Sequence, residues 1–266
     1  MTKNLGGVLK VIKKLKKLIY RDYFNPKLKV RKRLGLRLLL RYQNYIDRKL
    51  ILREPYESRQ LNLLSRAAEE SKASLFIDVG ANIGLYSVYL ARHVTGLEKV
   101  YAMEPQPENF NQLCGNIFTN NLSHVILPIR KGASNKPTRL VFLENKGRST
   151  GKSRLADTAP TGTKLEEFRE TFIEVVAMDS VLSEEKGRVA VIKVDVEGHE
   201  TQVLEGMREF LGANSCLLQI EILGEQAEKE KKLSSICGEY DLTLLAEIES
   251  DCYLTNDTKA FPRLIS

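Results

Sequence analysis

Short apolar runs alternate with helical apolar patterns along the chain from residue 74 onward. The runs are rich in Val, Ile and Leu, which is typical of strands that are buried on both faces. We predict seven strands, at Ser74–Val79, Lys99–Glu104, Val125–Lys131, Val189–Val196, Cys216–Leu223, Leu242–Glu247 and Cys252–Thr255. Strands that alternate with helices build a mostly parallel sheet with helices on both faces. The pattern therefore predicts an α/β fold for this part of the chain.

The stretch between the third and the fourth of these strands is irregular. Thr138–Leu143 and Phe172–Ala177 each resemble an extra extended segment. They flank a loop at Asn145–Thr163 that is rich in Gly, Ser, Thr and Lys, a composition that favours loops over regular elements. We therefore expect two additional extended segments and a candidate lid in this region.

The first residues of the chain follow a different pattern. On a helical wheel, the apolar residues of 5–21 fall on one half and five basic residues fall on the other, with Lys16 at the boundary. The apolar half contains Leu5, Val8, Leu9, Val11, Ile12, Leu15, Leu18 and Ile19, and the basic half contains Lys10, Lys13, Lys14, Lys17 and Arg21. Residues 27–50 stay basic and their leucines are spread around the wheel, so we expect further helix there. We predict a basic helical N-terminal arm over residues 1–65 and the α/β domain over residues 66–266.

The positive charge of the chain is concentrated in that arm. The 266 residues carry a net charge of +7, yet residues 1–50 hold 16 of the 41 Lys and Arg and two of the 34 Asp and Glu, which leaves 25 basic and 32 acidic residues for the rest. A basic arm on a mildly acidic body disfavours a protein that coats nucleic acid. A basic amphipathic helix instead suits an anionic membrane surface, with packing of residues 5–21 on the body as the alternative.

The sequence also bears on the compartment. It has no apolar run of about 18 residues, the length that a transmembrane helix needs. The lysines of residues 10–17 interrupt the apolar core that a signal peptide requires. Four cysteines, Cys114, Cys216, Cys237 and Cys252, form no C-x-x-C pair and have no His partners at zinc spacing, so we expect reduced thiols. We expect a cytoplasmic protein. Through its basic arm, this protein could bind peripherally to the inner face of the membrane.

The first predicted strand ends in a glycine-rich turn, Asp78-Val79-Gly80-Ala81-Asn82-Ile83-Gly84, which an apolar helical pattern follows. Glycines let the backbone approach a ligand closely, and the N–H groups at the start of a helix attract negative charge. Glu104 stands at the tip of the second predicted strand, where α/β folds that bind nucleosides place a carboxylate for the ribose hydroxyls. The turn departs from G-x-G-x-x-G, which disfavours NAD and FAD. An adenosyl ligand without pyrophosphate suits these residues better.

A second polar cluster follows the fourth predicted strand, in the run Asp195-Val196-Glu197-Gly198-His199-Glu200. Ligands of open α/β sheets bind beyond the carboxyl ends of the strands. We therefore expect Asp195 and Glu197 to face the same crevice as Asp78 and Glu104.

Three further residues near this cluster have a functional and a structural interpretation. Glu221 would join the crevice if the fifth strand pairs with the fourth, and otherwise it is a solvated acid at a strand end. Glu200 and His199 would either take part in the site or simply lie at the start of a helix, where the negative charge of an acid complements the helix dipole.

Four motifs of the sequence resemble the FkbM family of S-adenosylmethionine-dependent methyltransferases. They are Phe76–Val88 (FIDVGANIGLYSV), Met103–Asn116 (MEPQPENFNQLCGN), Met178–Leu182 (MDSVL) and Ile192–Glu200 (IKVDVEGHE), and their order and spacing also match. The resemblance covers about residues 74–223. It implies a Rossmann-like class I methyltransferase fold, S-adenosylmethionine as the methyl donor and transfer of the methyl group to an oxygen atom.

The resemblance also implies roles for individual positions. The methionine end of the donor would be cradled by Asp78, Gly80, Asn82 and Gly84, and its ribose would be held by Glu104. Asp195, Glu197 and Glu200 match the D-x-E-G-x-E run of the family. Residues 129–134 lack the carboxylate with which many related methyltransferases hold the adenine amine, so the adenine contacts stay unassigned.

Methyl transfer to an alcohol needs help in removing the hydroxyl proton, because an alcohol is a weak nucleophile at neutral pH. We expect Asp195 or His199 to act as the base, with Glu197 and Glu221 orienting substrate hydroxyls. A divalent cation held by the acids is the alternative, and the sequence leaves both open.

The acceptor is predicted from the resemblance together with the arm. Enzymes of this family are associated with sugar hydroxyls of glycans and with natural-product hydroxyls, which implies a sugar in a glycan or in a lipid-linked glycan. An RNA 2′-O-methyltransferase is a rival interpretation, because Lys193, Asp195 and Glu221 could form a Lys/Asp/Glu set and the arm could contact phosphates. A natural-product O-methyltransferase of the macrolide type is another.

Overall fold

The computed structural model describes residues 12, 14, 15, 28–146, 153–160 and 162–262. The helix predicted over residues 5–21 lies almost wholly outside the described residues, as does part of the predicted lid. The strands are β1 (Lys29–Arg33), β2 (Leu36–Leu40), β3 (Leu75–Val79), β4 (Lys99–Met103), β5 (Ile126–Ile129), β6 (Gly132–Ser134), β7 (Thr138–Asn145), β8 (Arg154–Leu155), β9 (Phe168–Ala177), β10 (Val189–Val194), β11 (Ser215–Glu221), β12 (Thr243–Ile248) and β13 (Asp251–Thr255). The helices are α1 (Tyr45–Ile51), α2 (Ser58–Glu70), α3 (Leu85–His93), α4 (Pro107–Thr119), α5 (Met178–Val181), α6 (Glu200–Glu205), α7 (Arg208–Ala213) and α8 (Gln226–Tyr240).

A seven-stranded sheet with the order β12-β13-β11-β10-β3-β4-β5 forms the centre of the molecule. The strands from β11 to β5 pair in parallel, and β13 runs antiparallel to both β11 and β12. Each of the seven corresponds to a predicted strand, with ends that differ by at most two residues. The expected α/β fold with a mostly parallel seven-stranded sheet is confirmed, and it is the Rossmann-like arrangement that the resemblance implies.

Both faces of this sheet are buried, which explains why its strands are apolar throughout. Along β3, Leu75, Ile77 and Val79 contribute to one core cluster, and Phe76 contributes to the other. The first cluster packs against α6, α7 and α8, and the second against α2, α3 and α4. Helices therefore cover the sheet on both sides, as predicted.

The irregular stretch after β5 forms a second sheet of four strands, ordered β6-β9-β7-β8. Strands β7 and β9 contain the two predicted extended segments, and all of β7 pairs antiparallel with residues 168–175 of β9. A small core of Phe142, Leu155, Ile173 and Val175 holds the sheet together. Both extended segments are thus confirmed as strands.

The prediction of further helix over residues 27–50 is wrong for the first half of that range. Residues 29–40 form an antiparallel hairpin of β1 and β2, and helix begins only at Tyr45. Leu34 and Gly35 form the two-residue turn with φ angles of 51° and 74°. Both angles are left-handed, as the tightest hairpin turns require.

The leucines that are spread around a helical wheel occupy one face of β2 instead. Leu36, Leu38 and Leu40 alternate along the strand and are at most 1% exposed. They belong to the same core cluster as α3 and α4. Burial of this face favours the strand over the helix, because only a period of two brings all three leucines to the core.

Side chains of α4 hold β2 against the body. The Leu39 N–H donates a hydrogen bond to Asn116 Oδ1 at 2.6 Å, and the Arg37 N–H donates one to Asn120 Oδ1 at 2.9 Å. These side chains thus supply hydrogen-bond partners for backbone N–H groups on the edge of β2 that does not pair with β1. The predicted boundary between residues 65 and 66 stays a prediction, and α2 runs across it.

Candidate active site

A cleft of about 990 Å³, measured with its open mouth, lies at the carboxyl ends of β3, β4, β10 and β11. Seven of the nine predicted site residues line it, namely Gly80, Asn82, Glu104, Asp195, Glu197, His199 and Glu221. Asp78 and Gly84 lie outside its lining. The remaining walls come from Tyr56 and Glu57, from residues 131–133 and from the second sheet. The sheet edge predicted to bind ligands is therefore the one that carries the cleft.

The two glycines of the turn after β3 are required by the packing of the protein itself. Both have left-handed φ angles, 83° at Gly80 and 79° at Gly84. A Cβ atom on Gly80 would lie 1.9 Å from the Asp195 carbonyl oxygen, and one on Gly84 would lie 2.3 Å from Leu113 Cδ1. Gly80 thus lets β3 approach the backbone of the loop after β10, whereas at Gly84 the left-handed φ is the main constraint, because the contact there is with the end of the Leu113 side chain. This is a structural reason for the glycine pattern, beside the predicted cradle for the donor.

Asn82 and Glu104 join the ends of β3 and β4 in the wall of the cleft. The Glu104 carboxylate accepts hydrogen bonds from the N–H groups of Asn82 and Gln106, each at 2.8 Å. Burial nevertheless raises the pKa of Glu104 to about 7. The Oδ1 atom of Asn82 is buried and has no hydrogen-bond partner among the described residues. A ligand with hydroxyl and amino groups would satisfy both side chains.

Asp78 lies beneath the cleft rather than in its wall. Its Oδ2 atom accepts hydrogen bonds from the Ser87 N–H at 3.1 Å and from the Ser87 hydroxyl at 2.6 Å. Burial raises the pKa of Asp78, which is 1% exposed. In the structure, this residue, which is predicted to bind the donor, therefore holds the first turn of α3 in place.

Lys193 is a buried cation surrounded by carboxylates. Its ammonium lies 2.7 Å from Asp195 Oδ2 and 4.9 Å from the centroid of the Tyr86 ring. Burial alone would lower the pKa of Lys193. The neighbouring carboxylates of Asp195, Glu57 and Asp78 outweigh burial and raise that pKa above its usual range. Lys193 thus stays protonated and holds Asp195 in one orientation at the edge of the cleft.

Asp195 and Glu221 end neighbouring strands. Strands β10 and β11 pair in parallel with Val194 opposite Ile220, so the predicted adjacency of the two acids is confirmed. Burial raises the pKa of Glu221 to about 8, and the charge of Asp195 adds to the shift. The Ser250 hydroxyl donates a hydrogen bond to Glu221 Oε1 at 3.0 Å, and this bond lowers the pKa of Glu221 and so offsets part of the rise. Glu221 is therefore mostly protonated at neutral pH.

Glu197 connects the loop after β10 to the predicted lid. Arg154 of β8 donates a hydrogen bond to Glu197 Oε2 at 2.7 Å. Beside it, a Cβ atom on Gly198 would lie 3.1 Å from Thr158 Cβ. Residues 153–155 also line the cleft. The described part of the loop at Asn145–Thr163 thus lies against the acids, and its opening and closing stay a prediction.

His199 lines the cleft, whereas the neighbouring Glu200 lies outside its lining. His199 Nε2 lies 3.0 Å from Ser134 Oγ, and its Nδ1 atom has no partner in the described chain. Burial lowers the pKa of His199, so the imidazole is neutral at neutral pH. Glu200 lies outside the lining of the cleft and accepts hydrogen bonds from the Gly198 N–H at 2.8 Å and from Lys232 at 2.6 Å. Glu200 therefore fixes the turn after β10 to α8.

Two residues of the cleft, Tyr56 and Glu57, do not follow from the sequence. They lie between α1 and α2, outside all four motifs. Glu57 has a left-handed φ of 43°, a conformation that is costly for a residue with a Cβ atom and that is often found at functional sites. Burial raises the pKa of both side chains. The run Glu54-Pro55-Tyr56-Glu57 resembles an ordinary polar loop, so its composition carries no signal for the site.

The placement of metal-binding side chains and of the cysteines also bears on the chemistry of the site. In the part of the chain that the structure describes, no group of three or more His, Cys, Asp and Glu is placed so that it could hold a metal ion. All four cysteines are free, and Cys216 and Cys252 are buried.

The cleft suits the donor that the resemblance implies. A carboxylate has about four acceptor sites, and Glu104 uses two of them for backbone N–H groups, which leaves capacity for ribose hydroxyls. The buried Asn82 Oδ1 would accept a hydrogen bond from an amino group. Val79, Met103 and Ala133 add apolar surface, as ligand pockets commonly do.

Comparisons with known proteins identify the family of the chain. A family model described as the methyltransferase FkbM domain matches residues 78–250, more than half of the chain. The hexuronic acid methyltransferase AglP of Haloferax volcanii is 27% identical over 190 residues, which are 71% of this chain and 72% of that protein. Methyltransferase sdnD of Sordaria araneosa is 31% identical over 156 residues, 50% of this chain and 60% of that protein.

The likeness to methyltransferases of known structure is more distant. The methyltransferase FkbM of Methylobacillus flagellatus KT is 19% identical with a TM-score of 0.48, and the match covers 69% of this chain and 44% of that one. The family model spans the glycine turn, Glu104 and the acids after β10 in a single match. The chain therefore belongs to the FkbM methyltransferase family, and it is a methyltransferase.

Proposed function

We propose that this protein uses S-adenosylmethionine to methylate a sugar hydroxyl, in a glycan or in a lipid-linked glycan. Membership of the family supports the methyl transfer and the donor. A relative that is named for hexuronic acid supports a sugar acceptor. Asp195 and Glu221, side by side in the cleft, support transfer to oxygen.

The pairing of Asp195 with Glu221 is the observation that carries this proposal. The Lys193 ammonium pairs with Asp195 Oδ2 at 2.7 Å, while burial raises the pKa of Glu221 to about 8 and keeps it mostly protonated at neutral pH. One carboxylate that accepts a proton beside one carboxyl that donates a hydrogen bond is suited to a hydroxyl group, which needs both kinds of partner. A substrate hydroxyl would thus be oriented and deprotonated at the same place.

The roles of the residues follow from this geometry. Bound S-adenosylmethionine would supply a methyl group on a positively charged sulfur atom. Asp195 takes the proton of the acceptor hydroxyl, and Glu221 donates a hydrogen bond to the acceptor. His199 is less suited to be the base, because it is buried and its Nε2 is occupied by Ser134. Glu104 would hold the ribose of the donor.

The test is methyl transfer from labelled donor to a panel of neutral sugars, uronic acids, macrolides and short RNAs. We expect transfer to a sugar, with a product that survives mild alkali, because an ether is stable there and a methyl ester is hydrolysed. The same sugars with every hydroxyl acetylated are the control and should not be methylated. An alkali-labile product, or transfer to RNA or macrolide alone, would contradict the proposal.

The raised pKa of Glu221 predicts that acceptor binding depends on pH. Below about pH 8 the carboxyl is protonated and donates its hydrogen bond, and above this pH it ionises beside Asp195. The KM for the acceptor should therefore rise several-fold between pH 7 and pH 9. In Glu221→Gln, whose amide donates at every pH, the KM should stay level. Steady-state kinetics measure both, and a level KM in the native protein would be evidence against this role.

For the location, we propose a cytoplasmic protein with peripheral contact to an anionic membrane through residues 5–21. Ile12 and Leu15 are exposed, which supports membrane contact over packing on the body. Among the helices that the structure describes, none is long and apolar enough to cross a bilayer. Nucleic acid stays a disfavoured partner.

Deletion of residues 1–22 should reduce association with anionic vesicles and leave donor affinity unchanged. The apolar and basic halves of the predicted helix belong to this segment, and the residues predicted to bind the donor begin at Asp78. Vesicle flotation, calorimetry with the donor and a thermal melt measure the three properties. Loss of folding on deletion would favour packing of the helix on the body.

A further inference from the structure

The β1–β2 hairpin exposes a surface that methyl transfer does not use. We call it the hairpin surface, and it consists of Leu28, Val30, Lys32, Leu34 and Arg37, with Arg92 nearby at the end of α3. Leu28, Val30 and Leu34 are 39%, 43% and 41% exposed. Alternation along β1 puts Val30 and Lys32 on the same side. Apolar and basic side chains thus share one exposed area.

The positive charge of the hairpin surface is not compensated within the described chain. Lys32 lies directly opposite Arg37 in the strand register, and like charges in that position destabilise a hairpin. In the same described part, no carboxylate forms an ion pair with Lys32, Arg37 or Arg92. Residues 28–53 contain nine Lys and Arg and one acid, Asp47, which is fully buried; of the nine, Arg41 pairs with Glu108 and Lys49 with Glu54. The surface therefore favours an anionic partner.

Contacts with α3 and α4 hold the hairpin surface in a fixed shape. His93 Nε2 lies 3.0 Å from the Leu34 carbonyl oxygen. The Arg37 carbonyl oxygen accepts hydrogen bonds from Thr119 Oγ1 at 2.7 Å and from Asn120 Nδ2 at 2.9 Å. A surface that is already ordered loses little conformational entropy on binding.

We propose that the hairpin surface binds an anionic membrane. Lipid headgroups supply negative charge, and the membrane interface also accepts apolar side chains beside basic ones. Nucleic acid would match the cations, but contacts to its phosphates give no use for the exposed Leu28, Val30 and Leu34. This contact does not depend on the methyl-transfer reaction, and it adds to the one proposed for residues 5–21.

The groove beside the hairpin surface reaches the wall of the cleft. It is lined by Lys32, Leu34, Arg53 and Tyr56, and Tyr56 also lines the cleft. A membrane bound at the hairpin would therefore suit a lipid-linked acceptor. This last point rests on the proposed function, whereas the membrane contact itself does not.

Two substitutions separate membrane binding from folding. Lys32→Glu places an acid opposite Arg37 and replaces a repulsive cross-strand pair by an attractive one. Leu34→Asn puts a residue that tolerates left-handed backbone at a φ of 51° and removes an exposed apolar side chain. Both variants should melt at or above the temperature of the native protein. A loss of vesicle binding in either one would then not reflect unfolding.

The experiment is co-sedimentation of the full chain with vesicles of phosphatidylcholine alone or mixed with phosphatidylglycerol. We expect the native protein to bind the mixed vesicles, Lys32→Glu to lower the partition coefficient about tenfold, and Leu34→Asn to lower it several-fold. Lys231→Glu is the matched control, because Lys231 is exposed on α8, on the other side of the sheet. Its partition coefficient should change less than that of Lys32→Glu.

Two results would overturn the proposal. One is an unchanged partition coefficient in both hairpin variants, and the other is a native protein that binds duplex RNA but not the mixed vesicles. Both variants should methylate a soluble acceptor at the native rate. Failure of methyl transfer in every protein, with vesicle binding as expected, would count against the proposed function and not against the hairpin surface.

Discussion

Asp195→Asn should lower kcat by about 10²- to 10⁴-fold in a protein that still folds and binds the donor. The amide keeps the shape of the carboxylate, and its oxygen can still accept the hydrogen bond that Lys193 now donates at 2.7 Å. The negative charge that takes the acceptor proton is lost. Turnover at saturating donor and acceptor, with a thermal melt and donor calorimetry beside it, measures the effect.

Asp241→Asn is the matched control for this substitution. Asp241 is exposed and has a left-handed φ of 51° after α8, a conformation that Asn also tolerates. Its kcat should equal that of the native protein. Should Asp195→Asn fold, bind the donor and turn over at the native rate, Asp195 is not the base.

Glu104→Gln should weaken donor binding by about 10- to 100-fold, because hydrogen bonds to a charged group contribute about 1.5–3 kcal/mol each. Two backbone N–H groups donate to the two oxygens of Glu104, so the amide would turn its own NH₂ group towards one of these donors. Above pH 7, where the Glu104 carboxyl is mostly ionised, the ribose would lose a charged acceptor, and the turn at Asn82 would lose one of its supports. Calorimetry with S-adenosylhomocysteine measures the affinity.

Glu108→Gln controls for the change of charge near the same helix. Glu108 is exposed in α4 and pairs with Arg41 at 2.8 Å, and such surface pairs contribute little. Its donor affinity should match that of the native protein. Equal affinity in Glu104→Gln as well would exclude Glu104 from the donor site.

The central sheet could be predicted because its strands are buried on both faces. Runs such as Val189–Val194 are apolar without interruption up to Lys193, and no amphipathic helix has this pattern. The adjacency of Asp195 and Glu221 then follows from the parallel pairing of β10 with β11. Strand order, and not local propensity, brings these acids together.

The hairpin could not be predicted in the same way. Leu36, Leu38 and Leu40 alternate with Arg37 and Leu39, and the apolar residue at position 39 hides the period of two. The turn carries Leu34 where hairpins prefer Asn or Asp. Tertiary burial against α3 and α4 decides the structure here, and it is not visible in a single sequence.

The cleft can be predicted in outline because its residues lie at strand ends, but its lining cannot be predicted in full, for two reasons. Asp78 and Gly84 belong to the glycine turn but lie outside the lining, where Asp78 accepts a hydrogen bond from Ser87 and Gly84 lies close to Leu113; their roles towards the donor stay predictions. Tyr56 and Glu57 enter from the N-terminal segment by tertiary packing. Spacing along the chain identifies a turn, but it does not tell which of its side chains face the ligand.

The position of Tyr56 and Glu57 has a consequence for how selectivity evolves. Both lie before residue 78, where the match to the family begins, whereas Glu104 and Asp195 lie within it. Under the proposed function, one wall of the cleft that binds donor and acceptor is thus encoded outside the stretch that matches the family. Mutation or recombination in that outer stretch would change the wall at Tyr56 and Glu57 and leave Glu104 and Asp195 in place. Exchanging this stretch between family members is therefore a way to alter the cleft without altering those two acids.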